Sequence, residues 1–279
     1  MGRTRDNALD QTEPVLLSKT ELRQRLQQVG EAMYHHQHPF HLLMHAGQLT
    51  RGQMQAWVLN RYYYQSRIPI KDAIILSKSE DVALRRAWRK RIIDHDGDTG
   101  VGGIEKWLQL AEAAGLDRNY VISTHAILPG VRYAVDAYID LVTNSTLLEA
   151  VSSSLTELFA GQLIALRMDA LAKYYPWLQN GLAYFHGRLT QAPEDAAFAF
   201  DYAAEHADTP NLQSLVVRSL ERKCALLWAQ LDALQYCYVE PGSLPHNPTS
   251  FVPRNHERTP CRHQNPASRS RLSRPYRLA

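Results

Sequence analysis

The sequence predicts an all-α protein, a compact bundle of many helices. Two observations support this prediction. Apolar residues recur at three- and four-residue steps along most of the chain up to residue 240, and helix-start signatures precede several of these runs. The sequence lacks the strict alternation of half-buried strands, and it shows no hairpin signal or internal repeat. We therefore expect helices packed on helices around a hydrophobic core.

Two predicted helices begin with capping boxes, in which a hydroxyl residue precedes Glu or Gln by three positions. Ser18 with Glu21 opens one helix, and Thr50 with Gln53 opens another. Pro69 lies inside the second helical pattern. Because proline lacks the backbone N–H that a helix interior needs, the sequence predicts that this helix breaks or restarts at Pro69.

Further helical runs follow Pro69. Gly97 and Gly115 stand at the ends of two of them, where glycine suits the left-handed conformation of a helix stop. The glycines from Gly97 to Gly103 match neither the dinucleotide fingerprint nor the Walker spacing, so we expect a helix–helix connection there. These runs cover residues 79–97, 102–115, 128–144, 146–171 and 211–239.

The composition separates a body from a tail. Of the chain's formal charge of +3, the residues from Pro241 onward carry +6, with seven arginines against Glu257, and residues 1–240 carry −3. The tail also holds seven of the fourteen prolines and shows no apolar period. We predict a flexible segment over 1–17, a helical-bundle catalytic domain over 18–240 and a disordered Pro/Arg-rich tail over 241–279. The tail does not show the interleaving of aromatic and basic residues that would support a nucleic-acid partner.

Other features bear on location. The sequence does not show the basic start and following apolar run that are typical of a secretory signal. It also has no run of about 18 apolar residues, the length needed to span a membrane. Cys224 and Cys237 lie thirteen residues apart on a predicted helix, roughly 20 Å, which is too far for a disulfide. With Cys261 they form no CxxC pair. We expect a reducing, cytoplasmic location.

Polar groups recur at helical spacing on otherwise apolar faces. Any one pair by itself suits a surface ion pair or a snorkelling side chain. Several guanidinium groups interspersed with tyrosines suggest instead a cavity for a small polyanion, because arginine binds carboxylates bidentately. The groups concerned are Arg61, Tyr64 and Gln65, Arg91 and His95, Tyr184 and Arg188, Glu157 and Arg167, and Lys223.

The segment YHHQHPFHLLMH, Tyr34 to His45, holds five of the twelve histidines. It could be a metal site, a set of proton-transfer groups or a His-rich helix. The chain contains no ExxH or HExxH motif, and the proline in HPFH suits the start of a new helix. We predict no metal ligands here and favour histidine as a proton-transfer group near neutral pH.

A set of motifs then resembles a known family. In order they are YHHQHPFHLLMH, WVLNRYYYQSRIPIKDAI, RIIDHDG, GGIEKWL, LPGVRYAVDAY, SSLTELFA, YPW, YFHGRL and KCALLW, over roughly residues 20–240. Together they resemble the pyrroloquinoline-quinone synthases, which have the heme-oxygenase-like, TENA-type helical bundle.

The resemblance implies a cofactor-free oxidase that catalyses the last step of pyrroloquinoline quinone (PQQ) biosynthesis. Such enzymes close a ring of a tricarboxylate quinone precursor and remove eight electrons with O2, releasing H2O2. The resemblance also implies a homodimer. We expect neither a membrane nor a nucleic-acid partner.

The resemblance assigns roles to the candidate residues. His95 would shuttle protons, and we expect Arg91, four residues earlier, to depress its pKa. Tyr184 and Arg188 would form the pocket for dioxygen and peroxide with His95, and His35 would be a further substrate-side group. We expect the other histidines of the segment, His36, His38, His41 and His45, to be structural or exposed. The expected substrate-binding residues are Arg61, Tyr64, Gln65, Lys71, Arg91, Tyr138, Glu157, Arg167 and Lys223.

The sequence departs from the family at one cavity position. After LTELFA the family continues Pro-x-Ile-His, whereas this chain has GQLI, with Ile164 in place of histidine. Ile164 lies seven residues after Glu157 and three before Arg167, so we expect it to face the same cavity. The departure predicts a slower oxidation step or compensation by another histidine.

Two alternatives stay open, a metal-dependent oxidase or oxygenase on the same bundle and an inactive small-molecule-binding protein. Thiamin cleavage by a cysteine is disfavoured, because Cys224 points about 100° away from Lys223 around their helix.

Overall fold

A computed structural model describes residues 15–240, which form a bundle of α-helices. This range contains no strand and only one isolated bridge, between Gly97 and Val101. The predicted all-α fold is confirmed. The helices are α1 Lys19–Met33, α2 Pro39–His45, α3 Arg51–Ser77, α4 Val82–Asp96, α5 Gly103–Ala113, α6 Arg118–Ser123, α7 Pro129–Asn144, α8 Leu147–Ser152, α9 Ala160–Tyr174, α10 Ala183–His206 and α11 Pro210–Leu234. Three 3₁₀ segments, His35–Gln37, Ser153–Phe159 and Pro176–Gly181, and a π turn, Gln235–Val239, complete them.

The core consists of two adjoining apolar clusters with α3 between them. One cluster is built around Trp57, Trp107 and Phe185, whose rings stack or meet edge to face. The other includes Trp88 and Phe200, with apolar residues of α1, α7 and α11. Helix α3 packs against α4, α5 and α7, and α11 packs against α1 and α7. Five polar residues of α3 are consequently buried, Gln55, Asn60, Gln65, Lys71 and Asp72.

The predicted helix starts are confirmed at both capping boxes. The hydroxyl of Ser18 accepts from the backbone of Glu21, whose carboxylate accepts from the backbone of Ser18. Thr50 and Gln53 make the same reciprocal pair at the start of α3. Each pair satisfies backbone N–H groups that the first turn of a helix leaves without partners.

The prediction of a break at Pro69 is wrong, because α3 continues through it to Ser77. A proline inside a helix removes one backbone hydrogen bond and crowds the preceding turn. Here Pro69 is buried, and α3 is held by α4, α5 and α7 along its length. Tertiary packing offsets the local cost and keeps one 27-residue helix.

The prediction of one helix over residues 146–171 is also wrong. The chain tightens into the 3₁₀ segment Ser153–Phe159 between α8 and α9. The hydroxyls of Ser152 and Ser153 donate to the carbonyl oxygens of Leu148 and Ala150, each at 2.6 Å. Serine hydroxyls that bond nearby carbonyls compete with the regular helix and bend it. This break matters because Glu157 lies within it.

The two helix-ending glycines both have positive φ. Gly115, at +81°, follows the last turn of α5. Gly97 ends α4 with φ 88° and ψ 166°, so it has the positive φ that the prediction required, with a ψ outside the left-handed helical region. The carbonyl of Gly100 and the backbone of Gly102 approach Gly97 so closely that a Cβ atom would clash. The segment between α4 and α5 is a helix–helix connection, as predicted.

Residues 1–14 and 241–279 lie outside the described residues, so the domain boundaries and the nature of both end segments stay predictions. Cys261 lies there too. Within the described part, Cys224 and Cys237 are buried free thiols, as their spacing predicted. No helix between residues 15 and 240 has the length and apolar character needed to cross a membrane.

Candidate active site

A cavity of about 80 Å³ lies between α3, α9, α10 and the 3₁₀ segment Ser153–Phe159. Its wall combines polar side chains with Trp107, Phe185 and Leu227. Nine of the thirteen residues predicted from the sequence line it: His35, Arg61, Tyr64, Gln65, His95, Glu157, Arg167, Tyr184 and Arg188. The i, i+3, i+4 spacing within α3, and the four-residue spacing within α10, bring these groups to the cavity side of their helices.

The other four predicted residues form a layer directly behind this wall. The Lys223 ammonium donates to the Tyr64 hydroxyl at 2.9 Å and lies 3.1 Å from the ring centroid of Tyr138. Lys71 contacts Asp72 and lies 3.5 Å from the Ser154 hydroxyl. Arg91 lies among carboxylates. These four residues reach the cavity through their neighbours and do not line it directly.

One side of the site is a buried network of arginines and acids. Arg188 donates to Glu157 at 2.7 Å and to Asp195 at 3.2 Å. Arg91 lies 3.3 Å from Asp195, 3.5 Å from Asp72 and 3.8 Å from Glu157. Burial raises the pKa of Glu157, but Arg188 and Arg91 outweigh it, so the pKa of Glu157 falls below 4.5 and the carboxylate is ionised. The positive charge on this side is therefore neutralised within the protein.

The other side of the site carries cations without acidic partners. Within residues 15–240, no Asp or Glu oxygen lies within 4.0 Å of Arg61, Arg167 or Lys223. Arg61 instead stacks on the Tyr64 ring at 4.0 Å and donates weakly to Gln230. Burial, followed by the charge of Arg61, lowers the pKa of Lys223 well below 10.5 and that of Arg167 to about 10. Desolvated cations of this kind gain stability when an anion binds beside them.

His95 presents an unprotonated nitrogen to the cavity. Its Nδ1 lies 3.0 Å from the carbonyl oxygen of Arg91 and donates to it, which leaves the lone pair on Nε2. Burial, then the charge of Arg188, lowers the pKa of His95 to about 4. The pKa of His95 is lowered, as predicted, but the charge of Arg188 contributes more than that of Arg91.

Tyr184 lies on the same wall. Its hydroxyl donates to Oε1 of Gln65 at 3.0 Å, and its ring meets Trp107 edge to face. Burial is the largest effect on the Tyr184 hydroxyl and raises its pKa above 10. The phenol therefore keeps its proton at neutral pH and serves as a hydrogen-bond donor.

The histidine-rich segment divides into buried and half-buried members. The sequence favoured structural or exposed roles for His36, His38, His41 and His45. His38 caps α2, where its Nδ1 accepts from the backbone of Phe40 and its Nε2 contacts Asp232. His36 and His45 are half-buried. His41 is buried and lies behind His35, with the two Nδ1 atoms 3.1 Å apart.

Comparison with known proteins identifies the family. The sequence model of the TENA/THI-4/PQQC family matches residues 23–233. The chain belongs to this family. A relative from Xanthomonas oryzae pv. oryzae (strain KACC10331 / KXO85), called pyrroloquinoline-quinone synthase, is 53% identical over 240 residues, which is 85% of this chain and 95% of the relative. The resemblance inferred from the motifs is confirmed.

A second relative has a longer chain. The "Bifunctional coenzyme PQQ synthesis protein C/D" of Methylorubrum extorquens is 52% identical over 236 residues, which is 84% of this chain and 63% of that protein. Among solved structures, a Shewanella denitrificans domain of unknown function with a heme oxygenase-like fold superposes with a TM-score of 0.67 at 14% identity. The superposition covers 85% of this chain and 100% of the Shewanella domain. A Pseudomonas syringae TenA homologue superposes with a TM-score of 0.62 at 11% sequence identity. These structural likenesses show the fold alone.

The predicted departure from the family lies in the cavity wall. Ile164 lines the cavity from α9, one turn before Arg167, where its side chain adds apolar surface. An imidazole at this position would face the same cavity as Arg167 and Glu157. The position of Ile164 agrees with the sequence prediction, and its effect on catalysis stays a prediction.

Sequence reasoning missed Asp72, Asp195 and His41. Asp72 follows Lys71, and Asp195 follows Glu194, so neither differs in sequence from a solvated acid. As for metal ligands, residues 15–240 contain no group of three or more His, Cys, Asp or Glu that could hold an ion.

Proposed function

We propose that the protein is a pyrroloquinoline-quinone synthase, which closes a ring of a tricarboxylate quinone precursor and oxidises it by eight electrons with O2, releasing H2O2. The observation that carries this proposal is the charge balance around the cavity. Three buried or half-buried cations, Arg61, Arg167 and Lys223, have no acidic partner in the described part of the chain, and the precursor has three carboxylates. The printed names of the relatives at 52–53% identity support the same activity.

Binding is the first task of these cations. Guanidinium groups match carboxylates with two parallel hydrogen bonds, and an ammonium adds a point charge. Because the cations are already desolvated, the carboxylates need displace little water from them. At about 30 Å³ per water molecule in the liquid, the cavity has room for about three waters, less than a fused tricarboxylate requires. Binding therefore moves side chains in the wall, and the 3₁₀ segment Ser153–Phe159 suits such a movement.

Proton removal is the second task. The Nε2 lone pair of His95 is the acceptor placed in the cavity, and its low pKa keeps it free at neutral pH. Each proton that it takes is held near Arg188, so the imidazolium is a strong acid that releases the proton readily. His95 therefore acts as a shuttle.

Oxygen reduction is the third task. Arg188 and the Tyr184 hydroxyl supply hydrogen bonds where negative charge develops on reduced oxygen. The electrons come from the deprotonated substrate, so we propose that no metal or organic cofactor takes part. The protein supplies binding, proton transfer and exclusion of water.

The test uses chelator-treated full-length protein with the precursor, first without oxygen and then in air. We expect an ultraviolet–visible shift on binding, followed by the product quinone and peroxide when air is admitted. Failure of the precursor to bind would refute the proposal. Turnover that needs an added metal would identify a metal-dependent oxidase instead.

A second candidate is an inactive binding protein on the same fold. Ile164 favours it, because an imidazole of the family is replaced by an apolar side chain in the cavity wall. Anaerobic binding as tight as in active relatives, without oxygen uptake in air, would support this candidate.

A further inference from the structure

Two histidines line the cavity, and the hydrogen bonds behind them determine which ring nitrogen carries the proton. A backbone carbonyl oxygen only accepts, so a ring nitrogen bonded to one is protonated. This places the proton of neutral His95 on Nδ1, which donates to Arg91, and leaves Nε2 as an acceptor. The second histidine, His35, has a different environment.

His41 supports His35 from behind. Nδ1 of His41 lies 2.9 Å from the carbonyl oxygen of His35 and therefore carries a proton. Its Nε2 is then unprotonated. One guanidinium nitrogen of Arg167 lies 3.1 Å from Nε2 and 3.5 Å from Nδ1, so it lies over the ring of His41. The carbonyl oxygen of His35 thus selects the Nδ1–H tautomer of His41, and the positive charge of Arg167 keeps that ring neutral.

The same proton determines the tautomer of His35. The Nδ1 atoms of His41 and His35 lie 3.1 Å apart, and two protonated nitrogens at this distance would repel each other. Nδ1 of His35 is therefore the acceptor, and its proton lies on Nε2, the nitrogen left for the cavity. We propose that His41 is a positioning residue which, together with Arg167, holds His35 in the Nε2–H form, so that His35 donates a hydrogen bond to an oxygen of the bound ligand.

The cavity consequently has two histidines of opposite character. The lone pair of neutral His35 is on Nδ1, where it accepts from His41, whereas the lone pair of neutral His95 is on Nε2 and is free to accept. His35 therefore binds, and His95 accepts protons. If the proposed function holds, the oxygen that His35 binds is a carboxylate or quinone oxygen of the precursor. Only this identification of the ligand rests on the proposed function.

The decisive experiment is nuclear magnetic resonance of the full-length protein, ¹⁵N-labelled at histidine and free of ligand, near neutral pH. We expect His41 as the Nδ1–H tautomer and His35 as the Nε2–H tautomer. A ¹⁵N–¹⁵N coupling across the hydrogen bond should join their two Nδ1 atoms. With both rings assigned, a proton on Nε2 of His41, or a missing coupling, would overturn the proposal. This experiment needs no variant and no substrate.

A pair of variants tests the functional consequence. Asparagine at position 41 keeps an N–H close to the place of Nδ1, whereas leucine removes it and leaves His35 without its partner. We expect His41→Leu to raise the anaerobic Kd of the precursor about ten- to a hundredfold, and His41→Asn to change it about threefold or less. The half-buried His36, changed to Asn, is the control and should bind as the parent protein does.

The pH profile separates positioning from general damage. In both His41 variants the limb of the profile that reports proton acceptance by His95 should keep its midpoint. A folded His41→Leu variant that binds the precursor as tightly as the parent would overturn the inference. If the parent protein itself binds no precursor, the proposed function fails, and the coupling between the two rings still decides the tautomers.

Discussion

The ammonium of Lys223 lies 3.1 Å from the ring centroid of Tyr138, and no carboxylate of residues 15–240 is within 4.0 Å of it. The side chain is almost completely buried on α11, and its pKa is lowered by desolvation and by Arg61 and Lys71. The folded protein therefore holds the protonated form of Lys223 only at a cost in free energy. An anion in the cavity would reduce that cost.

We expect proton uptake when the precursor binds, because its carboxylates raise the lowered pKa of Lys223. Calorimetry in two buffers of different ionisation enthalpy measures the number of protons taken up. Lys223→Met, similar in length and uncharged, should abolish most of the uptake. Lys173→Met, at an exposed position of α9, should not. Equal uptake by the parent and Lys223→Met would contradict the prediction.

The same substitution should stabilise the ligand-free protein. Methionine fits beside Tyr138 without the desolvation cost of an ammonium, so Lys223→Met should raise the free energy of unfolding by roughly 1 to 3 kcal/mol. Urea denaturation at neutral pH measures the change. Greater stability with weaker precursor binding would show that this lysine is kept for function. Loss of stability would count against the charge argument.

Glu157 and Glu194 offer a half-buried and an exposed acid for comparison. Glu157 links Arg188 and Arg91, so Glu157→Gln leaves two guanidinium groups with one carboxylate fewer and should lower the unfolding free energy by about 3 kcal/mol. Glu194 pairs with Lys90 at the surface, and Glu194→Gln should cost less than about 1 kcal/mol. Similar losses in the two variants would show that the Glu157 network contributes little.

Buried neutral histidines should make the fold sensitive to acid. The pKa of His95 is about 4 in the folded protein and near 6.5 when unfolded, so the unfolded chain binds more protons between these values. Stability is full above 6.5 and falls as the pH drops toward 4, by on the order of 3 kcal/mol from His95 alone. His35 and His41 shift in the same direction.

Urea midpoints measured from pH 7 downward test this prediction. His95→Gln should reduce the slope of stability against pH, whereas His206→Asn, at the exposed end of α10, should leave it unchanged. A slope that His95→Gln does not alter would place the acid sensitivity elsewhere.

Ile164→His should restore a titrating group to the cavity beside Arg167. We expect at least one oxidation step to become faster in single-turnover mixing of the precursor complex with oxygen. Ile164→Gln is the matched control, since it adds polarity without a titrating group. No change in any rate constant would indicate that the missing histidine is irrelevant here.

Helical periodicity explains how much of the site could be predicted. Arg61, Tyr64 and Gln65 are one turn apart on α3, and Tyr184 and Arg188 are one turn apart on α10. The spacing alone therefore places each set on one face. The roles of these residues, the use of O2, the lack of a cofactor, the homodimer and the cytoplasmic location stay predictions.

Features that depend on tertiary contacts escaped the sequence. His35 and His41 are brought together across the turn before Pro39, where no single period relates them. The 3₁₀ segment depends on hydroxyls of Ser152 and Ser153 turning back to the helix, and α3 runs through Pro69 because neighbouring helices hold it. In each case a contact outside the local pattern decides the conformation.

Helix α3 carries Arg61, Tyr64, Gln65, Lys71 and Asp72 on one uninterrupted rod. A small tilt of this rod would displace all five together, so the spacing of the groups on it cannot be tuned one residue at a time. Glu157, Arg167 and Tyr184, by contrast, lie on separate segments that can shift independently. A change in ligand preference is therefore easier to select or engineer on α9, α10 and the 3₁₀ segment than on α3. Helix α3 keeps its groups in place, and the other segments adjust relative to it.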